Sequence, residues 1–360
     1  MISLAEIFRQ YGSAYIAKFG NSMLPSHRRA IDAICSCLTP KLGGHKYECE
    51  CCGKERLVLH SCRNRACPRC QAHARDEWLD ARECEILPVR YFHAVFTVPR
   101  ELALIIRSRQ KELLSLLMRS AGEAVRKLGL KRKYLGGQMG VLEVLHTWGS
   151  TMEYHPHVHC LIPGGAILEN GAIWRESRKK FLIAIQPLSK LFRGIFLSEL
   201  GKLKPKAEIP AVVRKKDWNV FIKPALQGPE GLLKYLGRYV HRIAISNGRL
   251  ISLEDGKVTF AYKDYRDERK KLMTLPVFEF MRRFLQHVLP SGFRKVRYYG
   301  FLSPGSRQKF LRVRMILLLN SKYLAPLSRA KFRPVLACAN CGSLKMLLVN
   351  VIFPSKRSPP

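Results

Sequence analysis

The sequence predicts an α+β protein with a mainly antiparallel sheet, opened by a small cysteine-rich zinc module. Three observations lead there. Nine of the twelve cysteines fall in residues 1–88. The middle of the chain alternates strand-like and helical stretches, and two of the strand-like runs are near enough to pair as a hairpin. The last 90 residues carry 17 Lys and Arg against one acid, Glu279. Mixed order with neighbouring hairpins points to α+β rather than a parallel sheet. Composition divides the chain at 1–88, 89–270 and 271–360.

The elements follow in order. Leu4, Ile7 and Phe8, then Ile31 and Ile34, predict short helices ahead of the cysteines. The run LVLH (57–60) between the cysteine pairs is strand-like, as a zinc ribbon requires. Tyr91–Val98 is rich in aromatic and β-branched residues and stops at Pro99, as a strand does. Glu101–Leu128 has helical spacing, with Leu104, Ile105, Leu113, Leu116 and Leu117 on one stripe. Met139–Trp148 and Pro156–Pro163 read as the hairpin. Phe181–Leu203 reads as a helix and Trp218–Ile222 as a short strand. A helix is expected from Pro229, a good first-turn residue, to about Arg242. Ile243–Leu253 and Val258–Tyr262 read as strands around the Glu254-Asp255-Gly256 turn. A helix near Pro276–Leu289 opens the last region, and the tail PSKRSPP has a disordered composition.

Charge narrows the function. With 63 Lys and Arg against 27 Asp and Glu the net charge is +36, and no acid occurs between Met281 and Pro360. A field of that sign attracts polyanions, and each phosphate neutralised by Lys or Arg releases counterions. No apolar run approaches the roughly 18 residues needed to cross a bilayer. The opening MISLAEIFRQYG lacks the basic-then-apolar order of a secretory leader. The expectation is a cytoplasmic, nucleoid-associated protein that binds nucleic acid, with no membrane partner and no small-molecule substrate. Twelve cysteines in such a chain point to metal ligation rather than disulfides.

Cys49-Glu-Cys-Cys52 and Cys67-Pro-Arg-Cys70 are two CxxC pairs separated by 14 residues. A two-residue gap lets both thiolates of a tight turn point at one ion, and two such knuckles complete a tetrahedral zinc site. The expected ligands are Cys49, Cys52, Cys67 and Cys70, with Cys51, Cys62 and His45 also at hand. Such a closed site is structural, leaving no position for chemistry. Arg63, Arg65 and Arg69 around it suit phosphate contact. Cys338-Ala-Asn-Cys341-Gly looks like half of another knuckle, and nothing local names its partners.

The stretch Tyr154-His-Pro-His-Val-His-Cys-Leu-Ile162 carries the chemistry. On a strand, side chains two apart share a face, so His157 and His159 project together. Two imidazoles on one face can bind a divalent ion and leave positions open for substrate oxygen. His146 on the preceding strand is the first choice for a third ligand, with Glu143 and His155 as alternatives. Downstream, Tyr235-Leu-Gly-Arg-Tyr239 puts two phenols one helical turn apart, about 5–6 Å between Cβ atoms. Leu232, Leu236, Val240 and Ile243 form the apolar stripe of that helix. The tyrosines flank the stripe beside Arg238 and Arg242, an arrangement suited to a phosphate.

Together these segments resemble the HUH endonuclease superfamily, in which two histidines flank a bulky apolar residue, here His157-Val-His159. Within it, the chain is similar to the two-tyrosine rolling-circle transposases of the insertion sequence 91 family. The resemblance rests on Leu42-Gly-Gly-His45 with its CxxCG, SCRNRACPRCQ (61–71), VFTVP (95–99), LHTWG through HPHVHCLIPGG (145–165) and YLGRYVHRIAISNGRL (235–250). One departure is Ala66, where the family pattern has a histidine before the second CxxC. The resemblance implies an N-terminal zinc ribbon and an RNA-recognition-motif-like sheet with the histidines on a central strand. It implies catalytic Mg²⁺ or Mn²⁺ beside structural Zn²⁺. It further implies Tyr235 and Tyr239 as nucleophiles that nick and rejoin single-stranded DNA through a 5′-phosphotyrosine, at element-end hairpins and target DNA. Two alternatives stand beside it: a plasmid or phage replication initiator of the same chemistry, which lacks the ribbon, and a non-catalytic zinc-ribbon nucleic-acid binder.

Overall fold

The computed structural model describes residues 2–83, 85–168, 171, 173–203, 208–225, 237, 240, 243–264, 266–319 and 336–355. The chain forms two compact units. One gathers residues 1–77, 245–288 and 329–360, and the other 78–244 and 289–328.

The second unit is built on a five-stranded antiparallel sheet. Its strands, in spatial order, are Val296–Gly300, Gly140–Trp148, Tyr154–Pro163, Tyr91–Thr97 and Val220–Pro224. Alternation along each strand separates two faces. One presents Phe92, Ala94 and Phe96, Val158, Cys160 and Ile162, and Val141 and Leu145, all buried. Against it pack the helices Gln110–Gly129 and Ile185–Lys202, through Leu113, Leu117, Phe192 and Phe196 among others. The opposite face carries Leu142, Val144 and Leu161, which join a second apolar cluster with Phe310, Val313 and Val240. The predicted hairpin forms, with Leu142 opposite Leu161, Val144 opposite His159 and His146 opposite His157, and its register shifts between His146 and Trp148.

The first unit opens with the helices Leu4–Phe19 and Pro25–Ser36. Ser3 caps the first one: its hydroxyl accepts from the Glu6 N–H, while its own N–H donates to the Glu6 carboxylate. Phe8 and Tyr15 of this helix meet Phe284 and Phe278 of the helix Val277–Leu285 edge to face, at ring separations of 5.5 and 5.7 Å. A three-stranded meander, Leu250–Glu254, Lys257–Lys263 and Lys270–Pro276, turns first through Asp255 and Gly256, both at positive φ. The ribbon sheet orders Glu55–Leu59, Gly44–Cys49 and Met346–Ile352.

The α+β class and the antiparallel sheet are as the sequence predicts. The stretch 101–128, read as one helix, is two. The helix Ala103–Ser108 ends at Arg109 (φ −133°, ψ 53°) before Gln110–Gly129 begins. No Gly or Pro marks the break. Arg109 holds it by donating to the Leu203 carbonyl at 2.8 Å and pairing with Glu112 at 2.6 Å. The helix expected over 229–242 lies outside the described residues apart from Gly237 and Val240, both buried. The three sequential regions give way to an interleaved division. The strand Val296–Gly300 completes the central sheet beside Gly140–Trp148, and Met346–Ile352 completes the ribbon beside Gly44–Cys49. Composition tracks charge and cysteine content, whereas strand edges recruit partners from any distance along the chain.

Gly300 closes the edge strand at φ +64°, and a Cβ there would overlap the Met139 carbonyl oxygen. Gly300→Ala should cost on the order of 3 kcal/mol through left-handed strain and that overlap. A thermal melt should show the midpoint falling by roughly 10 °C. An unchanged midpoint would mean that this strand contributes little to the sheet.

Candidate functional site

Two cysteine clusters form in the first unit. Cys37, Cys62, Cys67 and Cys70 make one; Cys49, Cys52, Cys338 and Cys341 make the other. In the first, the sulfur separations are 3.7 Å for Cys37–Cys70, 3.5 Å for Cys62–Cys70 and 3.7 Å for Cys67–Cys37. In the second, Cys49–Cys341 and Cys52–Cys338 are both 3.6 Å apart. Four thiolates placed tetrahedrally about 2.3 Å from zinc stand about 3.8 Å from one another. Both clusters therefore have the spacing of a structural zinc site, and neither has that of a disulfide.

The second cluster is assembled from two copies of one turn. The Gly53 N–H donates to the Cys49 carbonyl at 2.8 Å, and the Gly342 N–H to the Cys338 carbonyl at 3.0 Å. Both glycines are left-handed, at φ +68° and +73°. The Cys49 N–H donates to Lys54 and the Cys338 N–H to Ser343. Each CxxCG is thus a complete knuckle, and the two meet because their strands pair. In the first cluster, the Cys62 thiol beside Cys67 and the N–H groups of Cys70 and Arg69 outweigh the burial penalty. They pull the Cys67 thiol down to about 5, toward the thiolate that binds metal.

The single site expected from Cys49, Cys52, Cys67 and Cys70 is corrected here. Those four divide two and two, and Cys62 is a member of the first cluster rather than a spare thiol. Cys37 was missed because it belongs to no CxxC and arrives from the end of the helix Pro25–Ser36. Its presence also accounts for Ala66: the cluster is complete without a histidine there. Cys51 is exposed beside the Ser343 hydroxyl, and His45 lies beside His60. Next to the first cluster, Arg63 and Arg69 are exposed and Arg65 is half-buried.

The second unit gathers His146, His157 and His159, whose ligand atoms all lie within 4.8 Å of one another. Ring centroids are 5.5 Å apart for His146–His157, 4.5 Å for His146–His159 and 4.9 Å for His157–His159. His146 is buried and stacks on Trp148 at 4.6 Å; the other two are half-buried and so reachable from solvent. His157 Nδ1 lies 2.7 Å from the His155 carbonyl oxygen, which can only accept. That fixes the proton on Nδ1 and leaves the Nε2 lone pair for a ligand. His155 itself stays outside the trio. Glu143, the other alternative, projects from the opposite face against Cys160, where complete burial raises its carboxyl well above the ordinary range. Three imidazoles with two on the open side fit a divalent cation that keeps positions free for substrate.

His93 is the residue that sequence reading missed. It sits on the neighbouring strand, with Nε2 2.9 Å from His159 Nδ1 and the two rings parallel within 7°. Burial, then the charges of Lys223 and His157, bring its imidazole down to about 4, so it is neutral and can accept the His159 Nδ1 proton. The only sequence signal was a histidine two residues before the VFTVP run, on the same strand face as Val95 and Thr97. Tyr235, Tyr239, Arg238 and Arg242 lie outside the described residues.

A family model described as "Transposase zinc-binding domain" matches residues 7–98, and one described as "Putative transposase" matches residues 140–309. The chain is 41% identical to the "Putative transposase y4qJ" of Sinorhizobium fredii (strain NBRC 101917 / NGR234), over 99% of this chain and 97% of that relative. It is 28% identical to the "Transposase for insertion sequence element IS801" of Pseudomonas savastanoi pv. phaseolicola, over 76% of this chain and 69% of that protein. No solved structure matches. The matched zinc-binding region holds the whole first cluster but only half of the second, whose Cys338 and Cys341 come from beyond it.

The two clusters make a countable prediction. Full-length protein should release two zinc ions per chain on thiol modification, and the Cys338→Ser/Cys341→Ser variant should release one. Cys51→Ser, beside the second cluster but outside it, should still release two. A single ion in the wild-type chain would overturn the two-site assignment.

Proposed function

The chain belongs to the insertion sequence 91 family of transposases, and from that membership we propose that it nicks and rejoins single-stranded DNA through a 5′-phosphotyrosine in rolling-circle transposition. The observation that carries the reading is the imidazole trio, with half-buried His157 and His159 backed by buried His146. Mg²⁺ or Mn²⁺ held there would polarise the scissile phosphate and stabilise the charge that develops during attack. The His155 carbonyl sets the tautomer of His157 from behind, and His93 orients the His159 ring.

Tyr235 or Tyr239 is the nucleophile in this reading. The phenol gives up its proton as its oxygen forms a bond to phosphorus, the P–O3′ bond breaks, and the departing oxygen takes up a proton to become a free 3′-OH. The phosphotyrosine conserves the ester, so a 3′-OH can reverse the attack and rejoin strands without ATP. The second tyrosine can serve the next junction while the first still holds its strand. Val240, the residue after Tyr239, is buried in the cluster that includes Leu142, Val144 and Leu161 on the histidine face. That burial supports a role for this segment beside the trio.

Arg238 and Arg242 would neutralise phosphates of the bound strand. Arg63, Arg65 and Arg69 beside the first cysteine cluster would contact element-end hairpins and target DNA. The net charge of +36 favours residence on the nucleoid. Among the described residues, no helix is long and apolar enough to cross a membrane.

Two experiments test the reading. With end-labelled single strands and Mg²⁺, the wild-type protein should form an adduct that survives denaturation. Tyr235→Phe/Tyr239→Phe should bind DNA normally and form none, and an adduct persisting in that variant would remove both tyrosines from the chemistry. In the second, His93→Ala should weaken Mn²⁺ binding by about 10–100-fold in calorimetry, with zinc content unchanged and partial recovery in His93→Gln. Wild-type Mn²⁺ affinity in His93→Ala would leave His93 a mere core residue.

A further inference from the structure

Leu161 and Leu142 face each other across the two central strands, on the face that carries the histidine trio. Leu161 is one same-face step beyond His159, and Leu142 is one such step before Val144, the residue opposite His159. At about 3.3 Å per residue, that step is roughly 6–7 Å. Over these two leucines opens a cavity of about 300 Å³. Flat side chains wall it, Trp78 and Tyr298 among them, with Phe310 from the helix Arg307–Leu319. Its charged elements are Glu85 and Arg307, 3.7 Å apart, with Arg307 more than half exposed and so toward solvent, and Ser303 adds a hydroxyl.

The cavity is open to solvent on the side of Arg307, so what needs an explanation is an aromatic and aliphatic lining left uncovered there. The volume is at the lower end of pockets that enclose small ligands. Aromatic walls, an aliphatic floor and one charged pair near the opening suit a planar heterocycle with hydrogen-bonding groups along one edge. We propose that this pocket takes up a single unstacked base of the substrate strand, from a nucleotide next to the phosphate held at the histidines. The base faces pack on the rings. Glu85 accepts from, and Arg307 donates to, the exposed base edge. A base in duplex DNA is stacked and paired and cannot enter without being extruded, so the pocket also favours single strands over duplex. The inference rests on the single-strand reading above and deepens it from the phosphate to the base.

The test compares oligothymidine with an abasic strand of equal length, both fluorescently labelled, bound to full-length protein in an anisotropy titration. Leu161→Trp fills the cavity, and Tyr298→Leu keeps its apolar surface but removes a ring. Each should weaken oligothymidine binding about tenfold and leave the abasic strand bound as by wild type. A strand carrying iodouracil should photocrosslink to the peptide containing Trp78 or Tyr298. If both variants melt like wild type and bind both strands like wild type, the pocket does not hold a base. Equal losses on both strands overturn it too, because then only the backbone or the fold was disturbed. Adduct formation by wild-type protein is scored separately. No adduct together with a base-dependent loss removes the nuclease reading and keeps the pocket, whereas an adduct with no such loss does the reverse.

Discussion

The antiparallel register between Gly140–Trp148 and Tyr154–Pro163 is the constraint on which the site depends. It sets His146 opposite His157 and Val144 opposite His159, so three imidazoles from two strands converge on one side of the sheet. Side chains alternate with a period of two, and a slip of one residue would turn the histidines into the helix-covered core. Such a slip is strongly opposed. Val158, Cys160 and Ile162 are fully buried against the helices behind the sheet, and exchanging them with imidazoles would bury polar rings in an apolar layer. The same hydrophobic alternation that stabilises the sheet therefore aims the histidine face.

Pairing alone does not make a metal site, because each imidazole has two nitrogens and a freely rotating ring presents either. The His155 carbonyl removes that freedom for His157, and His93 holds the His159 ring in place through its Nδ1. His93 can play its part because it is buried and neutral. Along the same face the lining changes from imidazoles to leucines and aromatic rings within one same-face step. One sheet thus carries an imidazole zone and an apolar zone side by side.

The cysteine clusters apply the same logic of distant partners in the other unit. A ribbon of three short strands buries little apolar surface, and metal ligation compensates for what a core this small does not supply. The second cluster joins residues nearly three hundred positions apart, so the ribbon is complete only once Cys338–Ile352 has been made. In this respect the zinc-binding module is not a self-contained N-terminal piece, even though most of its cysteines are there.

Local spacing in the sequence was enough to identify the α+β class, the histidine hairpin with His146 ranked ahead of Glu143 and His155 beside the HxH pair, both knuckle turns and the basic character of the chain. Each of these depends on residues within one hairpin or one turn of each other, or on composition, and short-range geometry settles them. The tertiary structure decided the rest. It chose which cysteines share an ion, brought in Cys37, set His93 behind His159, turned Glu143 into the core and gave Val296–Gly300 and Met346–Ile352 to sheets begun far earlier in the chain. The kink at Arg109 also belongs here, being held by a carbonyl from another helix. The reason is common to all of them: strand edges, thiolates and ring nitrogens are satisfied by whatever packing brings within about 3–4 Å, and no pattern along the chain records that partner.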